Sequence, residues 1–284
     1  MIFITGSKSF IGVNLIKKLE QDKIKYIGID SKKLKNTKKH KTKDICDPNL
    51  FKVIPKNSTV IHLAAISNVK ECKINPKKTL RTNLSGTINL INQSIKKNVK
   101  HFIFASTEWV YPNRNEILKE NSKINPNLLD NEYALSKYIG EQILLTFNKQ
   151  IKITILRFGI IYSDRNNGGS AIESLVKSVK GNNIVKIGSK NTSRRFVHVD
   201  DIINGIMLSY NKQLNGIFNL AGNEDINLKK IITIAEKILN KKVKIIQESN
   251  SKASIRKISN NKAKKILGWY PKIGIKAGIN KILC

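Results

Sequence analysis

The sequence predicts an α/β fold: a doubly wound parallel sheet with a smaller α/β lobe toward the C-terminus. Three observations carry that expectation. Short apolar runs alternate with stretches of helical period through the first 162 residues. The first run, residues 2–5, ends in Gly6 and opens through Ser7-Lys8-Ser9-Phe10-Ile11-Gly12 into a helical pattern. The second, Tyr26 to Ile29, ends on a carboxylate, Asp30. After residue 162 the rhythm changes to a polar loop with Gly168-Gly169, then short strands and helices. The expected division is a sheet domain over 1–162, with 196–221 returning to it, and a lobe made of 163–195 and 222–284. No internal repeat and no long linker sets the two apart.

Each element has its own reason. Strand, glycine turn and helix in that order form the start of a Rossmann unit, where the amides at a helix N-terminus hold a pyrophosphate. Gly6, Ser9, Phe10, Ile11 and Gly12 are the residues expected to hold it. Asp30, eighteen residues after Gly12, stands where a carboxylate accepts hydrogen bonds from the adenosine ribose hydroxyls. That favours NAD; Lys32 and Lys33 beside it keep NADP as the alternative cofactor. Asp44-Ile45-Cys46-Asp47 is expected as a strand edge over the adenine. Strand Ser58 to Leu63 ends in Leu63-Ala64-Ala65, small residues that let a dinucleotide approach the backbone. His62 within it reads as a satisfied core histidine. One long helix is expected from about Pro76 to Lys97, its interior Gly86 marking a close approach. Strand His101 to Ala105 leads into Ser106-Thr107-Glu108-Trp109, at the end of the sheet where ligands gather. There the hydroxyls either face the crevice or satisfy a turn, and Glu108 reads as a solvent-facing carboxylate. Strand Ile153 to Phe158 carries Arg157. Beyond it, Asp200 and Asp201 suit the start of a helix.

Asn131-Glu132-Tyr133-Ala134-Leu135-Ser136-Lys137 is the stretch that carries chemistry. Tyrosine and lysine four apart project from one helix face. An ammonium beside a phenol favours the phenolate, which is expected to bring Tyr133 toward the working pH as a general acid/base. Alone, such a pair arises by chance in so lysine-rich a chain; its place in the order of elements gives it weight.

Composition narrows the classes. A chain of 284 residues with 40% hydrophobic content can bury a large core. It has no apolar run long enough to span a membrane and no signal-peptide pattern. Cys46, Cys72 and Cys284 are scattered without metal-ligand spacing, which points to a reducing cytoplasm and no metal site. The formal charge of +32 is almost all lysine and is spread along the chain. The densest part, seven lysines between Lys32 and Lys43, reads as a solvated loop. The charge implies salt-sensitive, non-specific polyanion affinity and no specific nucleic-acid partner.

These pieces, in this order, resemble the extended short-chain dehydrogenase/reductase family, in its nucleotide-sugar epimerase/dehydratase branch. The marks are the glycine turn, Asp30, Leu63-Ala64-Ala65, Asn83 to Leu90, Ser106-Thr107, Tyr133/Lys137, Arg194 to Asp201, and Leu267-Gly268-Trp269-Tyr270-Pro271. The resemblance covers essentially the whole chain. It implies that Tyr133 exchanges a proton with a sugar hydroxyl, that Lys137 lowers its pKa and holds the nicotinamide ribose, and that both Tyr133 and Lys137 belong to the cofactor site. It further implies that Thr107 bonds the reacting oxygen, that Glu108 lies at the substrate, that Asn83 belongs to the cofactor site, and that Arg194 meets the nucleotide pyrophosphate. The implied activity is an NAD-dependent epimerase that oxidises a nucleoside-diphosphate sugar at C4 and returns the hydride. A nucleotide 4-keto-sugar reductase is the first alternative. An inactive relative that binds RNA or another polyanion is the alternative of another class. The family also implies a cytoplasmic homodimer. The sequence departs from the pattern at Ser7 and Ser9, usually glycines, which implies a weaker grip on NAD. It departs again at Ile160, usually asparagine, and at Arg195, usually acidic. Trp109 replaces the second acid of the Asp-Glu pair of dehydratases, which ranks dehydration below epimerisation and reduction.

Overall fold

The computed structural model describes residues 1–33, 35, 37–165, 169–247 and 253–284; Gly168 of the predicted polar loop lies outside them. Strands β1 (Ile2–Thr5), β2 (Tyr26–Asp30), β3 (His40–Thr42), β4 (Thr59–His62) and β5 (His101–Thr107) join strands Lys152–Phe158 and Gly216–Leu220 in one seven-stranded sheet. Its order is Gly216–Leu220, Lys152–Phe158, β5, β4, β1, β2, β3. β1 pairs in parallel with β2 on one side and β4 on the other, Ile4 lying opposite Gly28 and Ile61. The chain therefore reverses direction across the sheet between β1 and β4, the switch point at whose carboxyl ends ligands bind. Every residue of β1, β4 and β5 is buried, as expected of parallel strands covered on both faces.

The chain divides into two compact units, one of residues 1–110, 124–157 and 205–218, the other of 111–123, 158–204 and 219–284. The returning segment is thus 205–218 where the sequence pattern gave 196–221. Residues 111–123 join the second unit through contacts that composition does not reveal. There Ile117–Leu118 pairs with Lys257–Ile258, and the Tyr111 hydroxyl donates to the Asn219 side chain at 2.9 Å.

In the first unit, helices α1 (Phe10–Gln21), α2 (Val69–Ile74), α3 (Pro76–Leu80), α4 (Gly86–Lys96) and α5 (Glu132–Leu145) surround the sheet. Phe3, Val60, Phe102, Phe104 and Ile155 of the strands pack with Leu90, Ile91 and Leu144 of the helices. The single helix expected from Pro76 to Lys97 is instead α3 and α4 joined by a wider, π-type turn over Arg81–Ser85. Such a turn widens the helix without ending it, and the buried Asn83 lies within it. Gly86, just after it, marks a close approach: a Cβ there would lie 2.5 Å from Ile45 Cδ1. His62 is a core histidine as expected, bonded to Thr5 at 2.7 Å and Thr87 at 2.9 Å.

In the second unit, helices Ala171–Gly181, Leu228–Leu239 and Ile275–Leu283 pack round a separate core that includes Ile172, Val176, Ile231 and Ile279. Asp201 lies in the first turn of helix Val199–Lys212. Its carboxylate accepts the N–H groups of Lys272 and Ile273 at 2.8 and 3.0 Å, and its carbonyl accepts Trp269 Nε1–H at 2.7 Å. These bonds tie the segment around Asp201 to the segment 269–273.

Candidate active site

The site begins at the turn after β1. Gly6 has φ +70°, and a Cβ there would lie 2.7 Å from Ala64 N. At Gly12 a Cβ would lie 2.3 Å from Gly6 O. Only glycine fits either place. The two serines that depart from the usual pattern do fit. Neither has a positive φ, and Ser9 caps α1 by accepting the Gly12 N–H at 3.0 Å. Ser7 is buried, and the room it needs comes from Gly28 on β2, where a Cβ would approach Ser7 Cβ to 2.9 Å. The first turn of α1 carries no acidic residue, so nothing there opposes an anion at the helix N-terminus.

Beside this turn lies a cleft of about 520 Å³, within the usual range for a ligand site. Of the predicted cofactor residues, Gly6, Ser9, Phe10, Asp30, Asp44, Ile45, Leu63, Ala64 and Ala65 line it. Ile11, Gly12, Asn83, Tyr133 and Lys137 do not. Asp30 closes the cleft at the end of β2, its two oxygens accepting the Lys8 and Lys32 N–H groups, each at 2.9 Å. Asp44 follows β3 in a turn rather than in a strand edge. Burial raises its pKa, but the Cys46 N–H and the Arg81 guanidinium at 3.0 Å outweigh that and hold the carboxyl below its usual range. Sequence reasoning missed the basic rim, where Lys8, Lys43, Lys78 and Arg81 also line the cleft; no motif marks it. A glycine cradle, an acid-free helix end, a carboxylate on the cleft and small wall residues are a donor set that fits a dinucleotide.

Asn83 links this cleft to α5. Its side chain accepts the Ile66 N–H at 2.9 Å and donates to the Ile66 carbonyl at 3.0 Å and to Ser136 Oγ at 2.9 Å. Ile66 lines the cleft, and Ser136 precedes Lys137. Asn83 itself is buried; it holds the wall rather than lining it.

α5 starts where Asn131 accepts the Ala134 N–H at 2.9 Å. It then lays Tyr133 and Lys137 on the end of β5. Lys137 Nζ donates to the Ala105 carbonyl at 2.8 Å and sits 4.4 Å above the Phe104 ring. The Thr107 hydroxyl accepts the Trp109 N–H at 3.2 Å, the turn-satisfying role, and Thr107 also stands close enough to the Tyr133 phenol to lower its pKa. The charge states differ from the sequence expectation. Burial pushes Tyr133 up to about 12, with Thr107 opposing it and Cys72 adding to it. Burial likewise brings Lys137 down to about 7, against the Glu141 charge. In the protein by itself both groups tend to their neutral forms, because desolvation exceeds the mutual effect that their spacing implied.

Glu108 is also corrected: it is fully buried, in the short turn Glu108–Val110, rather than solvent-facing. Arg194 belongs to the second unit. It is buried there, and its guanidinium donates to the Ser193 carbonyl at 2.8 Å and to Ser254 Oγ at 2.6 Å. In the same unit Arg195 pairs with Asp225 at 2.8 Å, and Ile160 packs against the apolar core. Among the described residues no group of three or more His, Cys, Asp or Glu side chains is arranged to hold a metal, and no helix is long and apolar enough to cross a membrane.

Residues 2–221 match the model of the NAD dependent epimerase/dehydratase family. The chain belongs to that family. It is accordingly an NAD-dependent enzyme of the epimerase/dehydratase type. The family member named UDP-glucuronate 4-epimerase from Thermodesulfobacterium geofontis is 28% identical, over 96% of this chain and 87% of that one. Among solved structures, MoeE5 in complex with UDP-glucuronic acid and NAD superposes with a TM-score of 0.88 at 21% identity, covering 99% of this chain and 96% of that one. UDP-glucose 4-epimerase from Thermotoga maritima, with UDP-glucose, gives a TM-score of 0.86 at 24% identity, with 99% and 96% covered.

Proposed function

We propose that this enzyme is a 4-epimerase of nucleoside-diphosphate sugars, with a uridine diphosphate hexose or hexuronic acid as the substrate class. The observation that carries the reading is the convergence of Thr107, Tyr133 and Lys137 on the end of β5, tied through Asn83 to the cleft with the glycine turn and Asp30. The names of the relatives support the substrate class. Bound NAD supplies hydride acceptance and return. The chain's own part is to orient the sugar and move one proton. Tyr133 takes the proton of the C4 hydroxyl, Thr107 hydrogen-bonds the same oxygen, and Lys137 steadies the ribose. The phenolate needs positive charge beside it, which a protonated Lys137 and an oxidised nicotinamide provide. Trp109, where dehydratases carry a second acid, leaves the chain without the residue that would abstract a C5 proton, which favours epimerisation over dehydration. Arg194 is assigned to the substrate pyrophosphate. The working unit is a homodimer in the cytoplasm; exposed Leu80 and Ile88 on α3 and α4 are apolar surface it would cover.

A panel of nucleotide sugars assayed for isomer formation tests the reading. An epimerase interconverts C4 isomers with no net absorbance change at about 340 nm, since the hydride returns within each turnover. Stoichiometric consumption of NADH would mean a keto-sugar reductase instead. High-affinity, salt-resistant RNA binding without turnover would mean a polyanion-binding relative.

A further inference from the structure

Glu141 is a fully buried carboxylate that the reaction residues do not account for. It lies one helical turn beyond Lys137 and two beyond Tyr133 on α5, so the three share a face. That face meets β5 residue by residue. The Ala105 carbonyl takes the Lys137 ammonium, the Ser106 hydroxyl donates to Glu141 Oε1, and Thr107 stands beside Tyr133. From the neighbouring strand, Arg157 grips the same carboxylate. Its Nε donates to Oε1 at 3.0 Å and Oε2 at 3.2 Å, and its Nη2 to Oε2 at 2.6 Å. The pair is 0% and 2% exposed.

A buried ion pair is a weak source of stability, because desolvation offsets the attraction and apolar side chains of similar volume often fold as well. What an apolar pair cannot do is place a negative charge one turn from Lys137. The other groups around that ammonium are the Tyr133 phenol with Cys72 behind it, neutral His62 on β4, and the Phe104 ring. Of these and Glu141, the carboxylate bears the charge that favours the ammonium.

We propose that Glu141 is a positioning residue for Lys137: it supplies the buried counter-charge of the ammonium, and Arg157 and Ser106 hold it at that post. Without the carboxylate, burial alone governs the amine, and its proton is lost at lower pH. The idea rests on the assignment of Lys137 to the nicotinamide ribose. Its test reads cofactor affinity and does not require turnover, so a failure of the epimerase reading would appear separately, in the nucleotide-sugar panel.

The experiment is NADH binding by fluorescence, titrated from acidic to alkaline pH, for wild type, E141Q, E141Q/R157Q and S106A, with melting temperatures alongside. Wild-type affinity should fall through an inflection as Lys137 loses its proton. In E141Q that inflection should move down by about one pH unit or more, as expected for losing a charge one helical turn away. The double variant leaves no unpaired guanidinium and should shift in the same direction. S106A keeps the carboxylate and should keep the wild-type inflection. Uniformly weaker binding with an unmoved inflection in E141Q or the double variant would overturn the proposal. So would failure of both variants to fold, since the pair would then serve stability.

Discussion

Replacing Gly6 by alanine puts a methyl group where backbone already stands. The new Cβ would lie 2.7 Å from Ala64 N, 2.8 Å from Ala64 Cα and 2.9 Å from Leu63 C. All three are main-chain atoms, so no side chain can turn aside. The residue also sits at φ +70°, where a β-carbon costs about 1–2 kcal/mol. Overpacking against fixed neighbours adds about 1–3 kcal/mol. Together these remove roughly 2–5 kcal/mol from a stability that for natural proteins is about 5–15 kcal/mol. For a chain of this size each kcal/mol is worth about 2–4 °C, so the melting temperature should drop by about 4–20 °C. The strain is relieved by moving the turn away from Ala64, a wall residue of the cleft. NADH affinity should therefore fall about tenfold or more, equivalent to about 1.4 kcal/mol of lost contact. Thermal melting and fluorescence titration with NADH measure both effects. Ser7→Gly, which adds no atoms, is the control and should bind as wild type does. A Gly6→Ala protein that melts and binds NADH like wild type would refute the steric account of the turn.

Other consequences are open to measurement. Asp30→Ala should weaken NAD more than NADP, because the carboxylate is placed to accept from a free ribose hydroxyl; equal losses by calorimetry would contradict that role. Arg194→Ala should raise KM for the nucleotide sugar with little change in NADH affinity, and an unchanged KM would remove the arginine from the pyrophosphate. Lys137 binds more protons unfolded than folded between pH about 7 and its ordinary value of 10.5. Its contribution to stability is therefore least favourable below pH 7 and improves as pH rises through that window. Lys137→Met removes this dependence. The stability of the variant relative to wild type should be greatest at acidic pH and should decline toward pH 10.5 in denaturant melts; a difference independent of pH would show that the amine is not desolvated.

The parts of the fold and site that were legible in sequence are those fixed by local chemistry. The glycine turn was readable because only glycine fits at 6 and 12, and Asp30 because it ends a short apolar strand. Tyr133 and Lys137 were readable as a pair because helical spacing puts them on one face. Their proton affinities were not, since spacing reports separation while the charge states depend on how much water the folded protein excludes. The same reason hid Glu108, whose burial no neighbouring residue announces. Asn83 was expected at the cofactor cleft and not as the tie between Ile66 and Ser136, because the wide turn over Arg81–Ser85 leaves the apolar period of the segment almost intact. Glu141 and Arg157 are sixteen residues apart on different elements, and no periodicity connects them.

The central claim is that the Tyr133 phenol moves the proton in the reaction and that its hydroxyl contributes little to cofactor affinity. Tyr133→Phe removes one hydroxyl from a half-buried ring and leaves Gly6, Asp30 and Lys137 in place. Turnover of the nucleotide sugar and the NADH dissociation constant should be measured on the same preparation. The account predicts turnover reduced by about a hundredfold or more, the scale of lost acid/base catalysis, with NADH bound nearly as tightly as by wild type. Turnover at the wild-type rate in the phenylalanine variant would contradict it.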